Sequence, residues 1–288
     1  MVNFSYFVVY MAKPTAKYPA QPGGEQYHIF CKKGDLAPYI LLPGDPGRVP
    51  KIASGWERFQ EIAFHREFRS ATGTFRGVKL SCLSTGIGSP STAIAVEEAA
   101  RIGAHTFIRL GSTGALQAGI KPGDMIINVA GMKMEGTSKN YVRTEYPASA
   151  HYEVVLALIE ACEKLKLKYH LGITVSIDSF YVGEGRPGFQ GYNQSYLKNV
   201  LSDLEAAKVT NVEMESSALF TIASLYGLRA GAVCVVFDNL VTDEWKVCGE
   251  KEVGLVGSEA VAILAGWDRL KKKKKKKYFY PSLLKFNS

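Results

Sequence analysis

Several charged residues stand where apolar runs end or pass, and their spacing suggests ligand chemistry. Arg48 follows Pro43-Gly44-Asp45-Pro46-Gly47, and that turn follows the apolar run Pro38–Leu42. Proline fixes its own φ and glycine reaches angles closed to other residues, so a strand must turn here into a helix. Backbone N–H groups near Gly44 and the forked guanidinium of Arg48 then form an anion cradle. Arg109 repeats the logic inside the apolar stretch Thr106–Leu110, followed by Gly111-Ser112-Thr113-Gly114. An unpaired charge in such a strand is costly, so Arg109 must face an anion, either a carboxylate of the protein or a ligand. Ser112 and Thr113 add hydroxyl donors. Glu213 and Glu215 flank Met214 after a short strand, and Asp238 ends the nearly all-apolar run Leu228–Phe237. Glu184 and Arg186 sit in the Gly- and Pro-rich loop Val182–Tyr192, after a strand end carrying Phe180. That is where α/β enzymes place binding groups. Arg66, in His65-Arg66-Glu67-Phe68, reads as mid-strand, and His28 taken alone reads as structural.

The elements that would position these groups follow from periodicity and turn chemistry. Strands are expected at Pro38–Leu42, Glu61–Arg69, Thr106–Leu110, Met125–Val129, Leu171–Ile177 and Leu228–Phe237, with a hairpin of arms Thr72–Phe75 and Val78–Ser84. Helices are expected at Thr92–Ile102, His151–Lys166, Ser195–Ala207, Ser217–Tyr226 and Glu250–Leu270. About five strand–helix alternations, with no internal repeat and no linker, imply an α/β single domain with a mixed central β-sheet flanked by helices. Its expected span is 25–270, between a flexible N-terminal tail (1–24) and a Lys-rich disordered tail (271–288). Gly86-Ile87-Gly88-Ser89-Pro90-Ser91 matches half of a dinucleotide fingerprint. Its third glycine is Ser91 and no acidic residue closes a second strand, which excludes a nicotinamide site.

Composition narrows the partners. The chain has 288 residues, 47% hydrophobic and 22% charged, enough for a sizeable core. Its net charge is +8, but Lys271 to Lys277 carry seven of those charges, leaving the remainder near +1. A near-neutral body argues against a broad nucleic-acid-binding face. Five scattered cysteines without a C-x-x-C pair argue against a metal knuckle or disulfide framework and fit a reducing cytoplasm. Phe4 to Met11 is apolar but too short to span a bilayer, so no membrane partner is expected, and Met11 is a candidate start.

Taken together, Pro43–Arg48, His65–Glu67, Ser84–Gly88, Ile108–Gly114 and Val212–Ser216 resemble the uridine-cleaving branch of the nucleoside phosphorylase I family. Asp178–Tyr181 with Gly183–Phe189 is similar to its archaeal-type members, and the resemblance covers roughly residues 25–268. It implies a pentosyltransferase of nucleotide salvage that reversibly converts nucleoside and phosphate to free base and ribose 1-phosphate, with no cofactor. Phosphate would lie on Gly44, Arg48, Arg66, Arg109 and Ser112. Ribose would lie on His28, Met214 and Glu215, and the base beside Thr113, Gly114, Phe180, Glu184, Arg186 and Asp238. Arg48, Arg109, Glu215 and Asp238 would carry the catalysis. The resemblance also implies that Arg66 and His28 act across a subunit boundary, that the assembly is a homohexamer built as a trimer of dimers, and that a structural monovalent cation is held near Glu67, Ile87 and Ser91.

Two departures bear on the base. Uridine-cleaving relatives carry Gln where this chain has Glu184, and an apolar residue followed by Asn-Arg where it has Asp238-Asn239-Leu240. An ionised Glu offers uracil acceptors only, and a buried mismatch of that kind costs about 1–3 kcal/mol. An Asp at 238 suits N7 of a purine, and Glu184 suits N1–H and the amino group of guanine. The expectation is uridine phosphorolysis, with guanosine or inosine as the alternative substrate and a non-catalytic nucleoside-binding relative as the second alternative.

Overall fold

The computed structural model describes residues 14–287, so Phe4–Met11 and the candidate start Met11 lie outside the described residues. Strand β1 (Tyr39–Pro43) is central and leads into the short helix α1 (Arg48–Ala53). A meander of β2 (Arg58–His65), β3 (Phe68–Phe75) and β4 (Val78–Leu83) follows, then α2 (Ser89–Arg101) and β5 (Thr106–Ala115). Next come β6 (Met125–Met134), β7 (Ala148–Ser149), α3 (Tyr152–Leu165) and β8 (Tyr169–Ile177). The chain continues through α4 (Val200–Ala206), β9 (Asn211–Glu213), α5 (Ser216–Leu225), β10 (Arg229–Asn239), β11 (Glu244–Trp245) and α6 (Glu250–Lys274).

The mixed α/β sheet runs β11-β10-β6-β8-β9-β5-β1-β4-β3-β2, with β7 on β6. β10 also pairs with β5, so β5, β9, β8, β6 and β10 close into a ring beside the open part of the sheet. β1 lies between β4 and β5, parallel to both. Its Ile40, Leu41 and Leu42 are fully buried, as a strand covered on both faces requires. Alternation sends Leu41 toward α1, α3 and α6, and Ile40 and Leu42 toward α2 and α5. The carboxyl ends of β1, β5 and β10 therefore open on one crevice, where an α/β sheet places its ligands.

Strands β5 and β6 run on past their expected ends, to Ala115 and Met134, and three further boundaries differ from expectation for local reasons. Arg66 is not mid-strand. With Glu67 it forms the turn that pairs His65 with Phe68, and its φ is 56°. The expected helix Ser195–Ala207 breaks into a 3-10 turn at Ser195–Leu197 and the short α4. Residue 24 is not a clean boundary either, because Gln21 and Glu25 close a hydrogen-bonded turn bridged by Ala20 and Gln26.

The Lys-rich end is ordered, against the expectation of disorder. α6 continues to Lys274, and Lys271 binds the buried Glu153 carboxylate at 2.6 Å and Asp268 at 3.0 Å. Beyond it, Phe279 stacks on Trp267 at 4.0 Å and Leu283 is buried. Lysines show no apolar period, so what orders this end is long-range packing that a local reading misses. Phe279→Ala is expected to lower unfolding free energy by about 3 kcal/mol, read from urea denaturation, with turnover unchanged. An unshifted midpoint would mean that the packed tail adds nothing to the fold.

Candidate active site

The crevice holds a cavity of about 230 Å³, lined among others by Gly44, Arg48, Arg109, Ser112, Met214, Glu215, Glu184, Arg186 and Asp238. Three strand ends and two loops build it. The register sets Leu42 of β1 beside Arg109 of β5, and Ala232 of β10 beside Arg109 on the other side. Past Val236 a register shift sets Asp238 beside Gly114. A Cβ at Gly114 would lie 3.1 Å from Asp238 Oδ2, so a side chain there would crowd that carboxylate. A Cβ at Gly111 would meet Cys234 Sγ at 2.7 Å and Arg109 Nη2 at 3.3 Å, so this glycine keeps room for the guanidinium.

Arg109 meets two carboxylates. Its Nε donates to Glu213 Oε2 at 3.0 Å and its Nη2 pairs with Glu215, while the buried Nη1 has no acceptor among the described residues. Burial works against its charge, but Glu215 and Glu213 outweigh that, and its pKa is held above the usual guanidinium range. The Glu215 carboxyl is pushed up by burial, with Arg109 opposing and Glu213 adding to the rise. Gly88 N–H also donates to Glu215 Oε1, at 2.6 Å. Gly86 and Gly88 have φ of 70° and 96°, so this glycine pair serves to present a backbone donor to a carboxylate.

Glu213 holds the constellation together, and only its place beside Met214 marked it in the sequence. It accepts from Arg109 Nε, Ser176 Oγ at 2.5 Å, the backbone N–H groups of Glu215 and Ser216, and Ser216 Oγ. Glu250 has no local signal at all. From the start of α6 it accepts from Arg48 Nε at 2.8 Å, which orients this arginine at the cavity. Trp245 and Phe237 also line the cavity without a chemical motif to announce them.

At the other end Arg186 joins two carboxylates. Its Nη1 donates to Glu184, its Nη2 donates to Asp238 at 2.6 Å, and the guanidinium lies 4.0 Å over the Phe180 ring. Glu184 and Asp238 are both buried. Burial pushes Glu184 up to about 7, with Arg186 opposing and Asp238 and Glu213 adding to the rise. Burial raises Asp238 as well, again against Arg186. Thr113 lines the cavity, but its hydroxyl already donates to Val212 O at 2.6 Å and accepts from Asn211.

Two expected residues are not brought to this cavity within one chain. His28 Nδ1 contacts Glu98 at 2.7 Å, and His28 lines a separate open hollow of about 630 Å³. Arg66 lies 5.8 Å over the Tyr27 ring. Glu67, Ile87 and Ser91 do lie together. A Cβ at Gly86 would meet Glu67 Cγ at 2.7 Å, and Ser91 Oγ donates to Ile87 O at 3.1 Å. Among the described residues no group of three or more His, Cys, Asp or Glu is placed to hold a metal, and no helix is long and apolar enough to cross a membrane.

A uridine phosphorylase of Thermococcus kodakarensis is 59% identical over 269 residues, 93% of this chain and 97% of the relative. A guanosine phosphorylase of Halorubrum lacusprofundi is 40% identical over 222 residues, covering 77% and 87%. A uridine phosphorylase of Escherichia coli is 39% identical over 221 residues, covering 76% and 87%. The profile of the phosphorylase superfamily matches residues 38–265, from the strand before the Arg48 turn to the body of α6, and the chain belongs to that superfamily.

Proposed function

We propose that this protein is a uridine phosphorylase, converting uridine and phosphate reversibly to uracil and ribose 1-phosphate. The observation that carries the reading is Arg109, a buried guanidinium lining the cavity with Nη1 unpartnered among the described residues and Arg48 on the same wall. A phosphate beside Gly44 and Ser112 supplies the missing acceptor and meets two cations. Glu215 accepts from the ribose hydroxyls, with Met214 against the sugar. As the C1′–N1 bond stretches, positive charge grows on the ribose between phosphate and Glu215, and two fixed negative groups stabilise it. The base lies toward Phe180, Arg186, Glu184 and Asp238.

Arg48, Arg109 and Glu215 around one cavity favour turnover over mere nucleoside binding. A second reading, guanosine phosphorolysis, is favoured by the buried carboxylates Glu184 and Asp238 and by the 40% identical guanosine phosphorylase. The site is completed in an oligomer, where His28 and Arg66 of one subunit reach the ribose 5′-hydroxyl and phosphate of its neighbour, and the assembly is a hexamer. Glu67, Ile87 and Ser91 would offer oxygens to a monovalent cation at such a boundary. The five unpaired cysteines suit the cytoplasm.

The test is phosphate-dependent release of free base from uridine, thymidine, cytidine, inosine, guanosine and adenosine, followed by chromatography. Uridine is expected to be cleaved at least tenfold faster than guanosine at equal concentration. Preference for guanosine or inosine would replace the uridine reading with the purine one, and binding without release would make the protein a non-catalytic relative.

A further inference from the structure

Arg186 is one cation placed against two buried carboxylates, Glu184 and Asp238, which line the same end of the cavity. The guanidinium neutralises one of them. The second is a surplus buried charge, and such a group is relieved by keeping its proton. Asp238 reaches Nη2 from β10 at 2.6 Å, on the strand end rather than the loop, while Glu184 shares its own loop with Arg186 and is 3% exposed. Glu213, on β9, adds a further negative charge toward Glu184. Against Arg186 alone, the charges of Asp238 and Glu213 both disfavour the ionised form of Glu184.

We propose that Glu184 works as a protonated acid on the leaving base, with Asp238 serving as the counter-ion of Arg186 that lets it stay so. This rests on the uridine reading above and explains how a chain with Glu at this position handles uracil. A protonated carboxyl offers one donor and one acceptor, as an amide does, so it gives a hydrogen bond to uracil O2 and accepts from N3–H. When the C1′–N1 bond breaks, its electron pair passes into the ring and onto O2. The Glu184 O–H bond breaks, its proton bonds to O2, and the carboxylate remains on Arg186. A phosphate oxygen bonds C1′. The 2-hydroxy tautomer relaxes to uracil in water, and the proton lost by the new phosphate ester restores Glu184. Charge near the group supports the same assignment, since burial has already lifted Glu184 to about 7. The two departures from the uridine pattern are thus one coupled change.

The experiment is the pH profile of kcat/KM for uridine between about pH 5.5 and 9 at saturating phosphate, for the full-length protein, Glu184→Gln, Asp238→Asn and the double variant. The unsubstituted protein is expected to lose about tenfold per pH unit above the Glu184 titration. Glu184→Gln keeps a donor at every pH, so that basic limb should vanish and the two profiles should cross. Asp238→Asn leaves Glu184 to serve as the counter-ion of Arg186. Its limb should move to lower pH, with about a tenfold loss at pH 7. In the double variant that loss should largely disappear, since neither carboxyl remains to ionise. Uracil release with a basic limb that Glu184→Gln shares, or that Asp238→Asn leaves in place, overturns the proposal alone. No uracil release at any pH from the unsubstituted protein overturns the uridine reading and the proposal with it.

Discussion

Arg109→Ala is expected to reduce kcat/KM for phosphorolysis by at least a thousandfold. Arg109 lies between Glu213 and Glu215, at 3.0 Å from the first and in direct contact with the second. On the proposed site, removing it takes away a phosphate contact, and one preorganised contact of that kind is worth about a hundred- to a thousandfold in rate. It also leaves two buried carboxylates facing each other, so one must take up a proton. If that is Glu215, the negative charge beside the developing ribose cation is lost as well. The same change should lower stability by about 3–5 kcal/mol, as removing one partner of a buried ion pair does. Because a loss of fold would mimic a loss of chemistry, Arg109→Lys belongs beside it. Lysine keeps the charge but gathers its three donors on one nitrogen, so it does not span Glu213, Glu215 and phosphate as the planar fork does. Its melt should stay closer to that of the unsubstituted protein, while its KM for phosphate rises steeply. Initial rates across phosphate concentration, paired with urea denaturation, separate the two. An Arg109→Ala protein that folds and turns over within tenfold of the original would remove Arg109 from the phosphate site.

What was legible in the chain depended on how local the cause is. The turn at Pro43–Gly47 and the buried strand before it act through backbone angles and apolar runs, so they read directly from sequence; the glycines around Ser112 do not turn the chain, because β5 runs on to Ala115 and they instead leave room for Arg109 and Asp238. The alternation of strands and helices implied the mixed sheet for the same reason. Arg109 was readable as a charge needing an anion, protein carboxylate or ligand, but its actual partners were not, because they lie 104 residues or more along the chain. Glu250 is further still from Arg48, 202 residues away, and a Glu at the start of a helix is ordinary. Trp245 is visible only once β11 folds back on β10. Arg66 misled because its neighbours look like strand on both sides. The lysines after Leu270 misled because their order comes from Glu153, Trp267 and Phe279 rather than from their own pattern. Base choice lies at the same limit. Glu184 and Asp238 are individually visible, but that one guanidinium holds both is a fact of the folded loop.

Mixing Arg66→Ala subunits with Glu215→Ala subunits is expected to restore turnover that neither variant has alone. Within one chain the expected site residues fall into two places. Arg48, Arg109 and Glu215 share a cavity, but Arg66 sits at a turn with its guanidinium over Tyr27, and His28 points to Glu98. Tyr27 and His28 adjoin in sequence, so Arg66 and His28 belong to one surface region, apart from the crevice in their own subunit. If that region completes a neighbour's crevice, each variant alone damages every site, one through phosphate and the other through ribose. In a mixed assembly, a site built from the Glu215-intact subunit and the Arg66-intact partner is whole. For a dimer of two sites formed at random from equal amounts, half of the dimers are mixed. Each carries one intact and one doubly damaged site, so about one quarter of all sites should recover. The measurement is phosphorolysis after denaturing and refolding the two variants together, with tagged subunits to verify mixed assemblies. Unmixed samples refolded separately and then combined give the baseline. Verified mixed assemblies with no activity above that baseline would mean that Arg66 does not act in trans. Recovery near one quarter would make the dimer the smallest active unit, whatever larger assembly it joins.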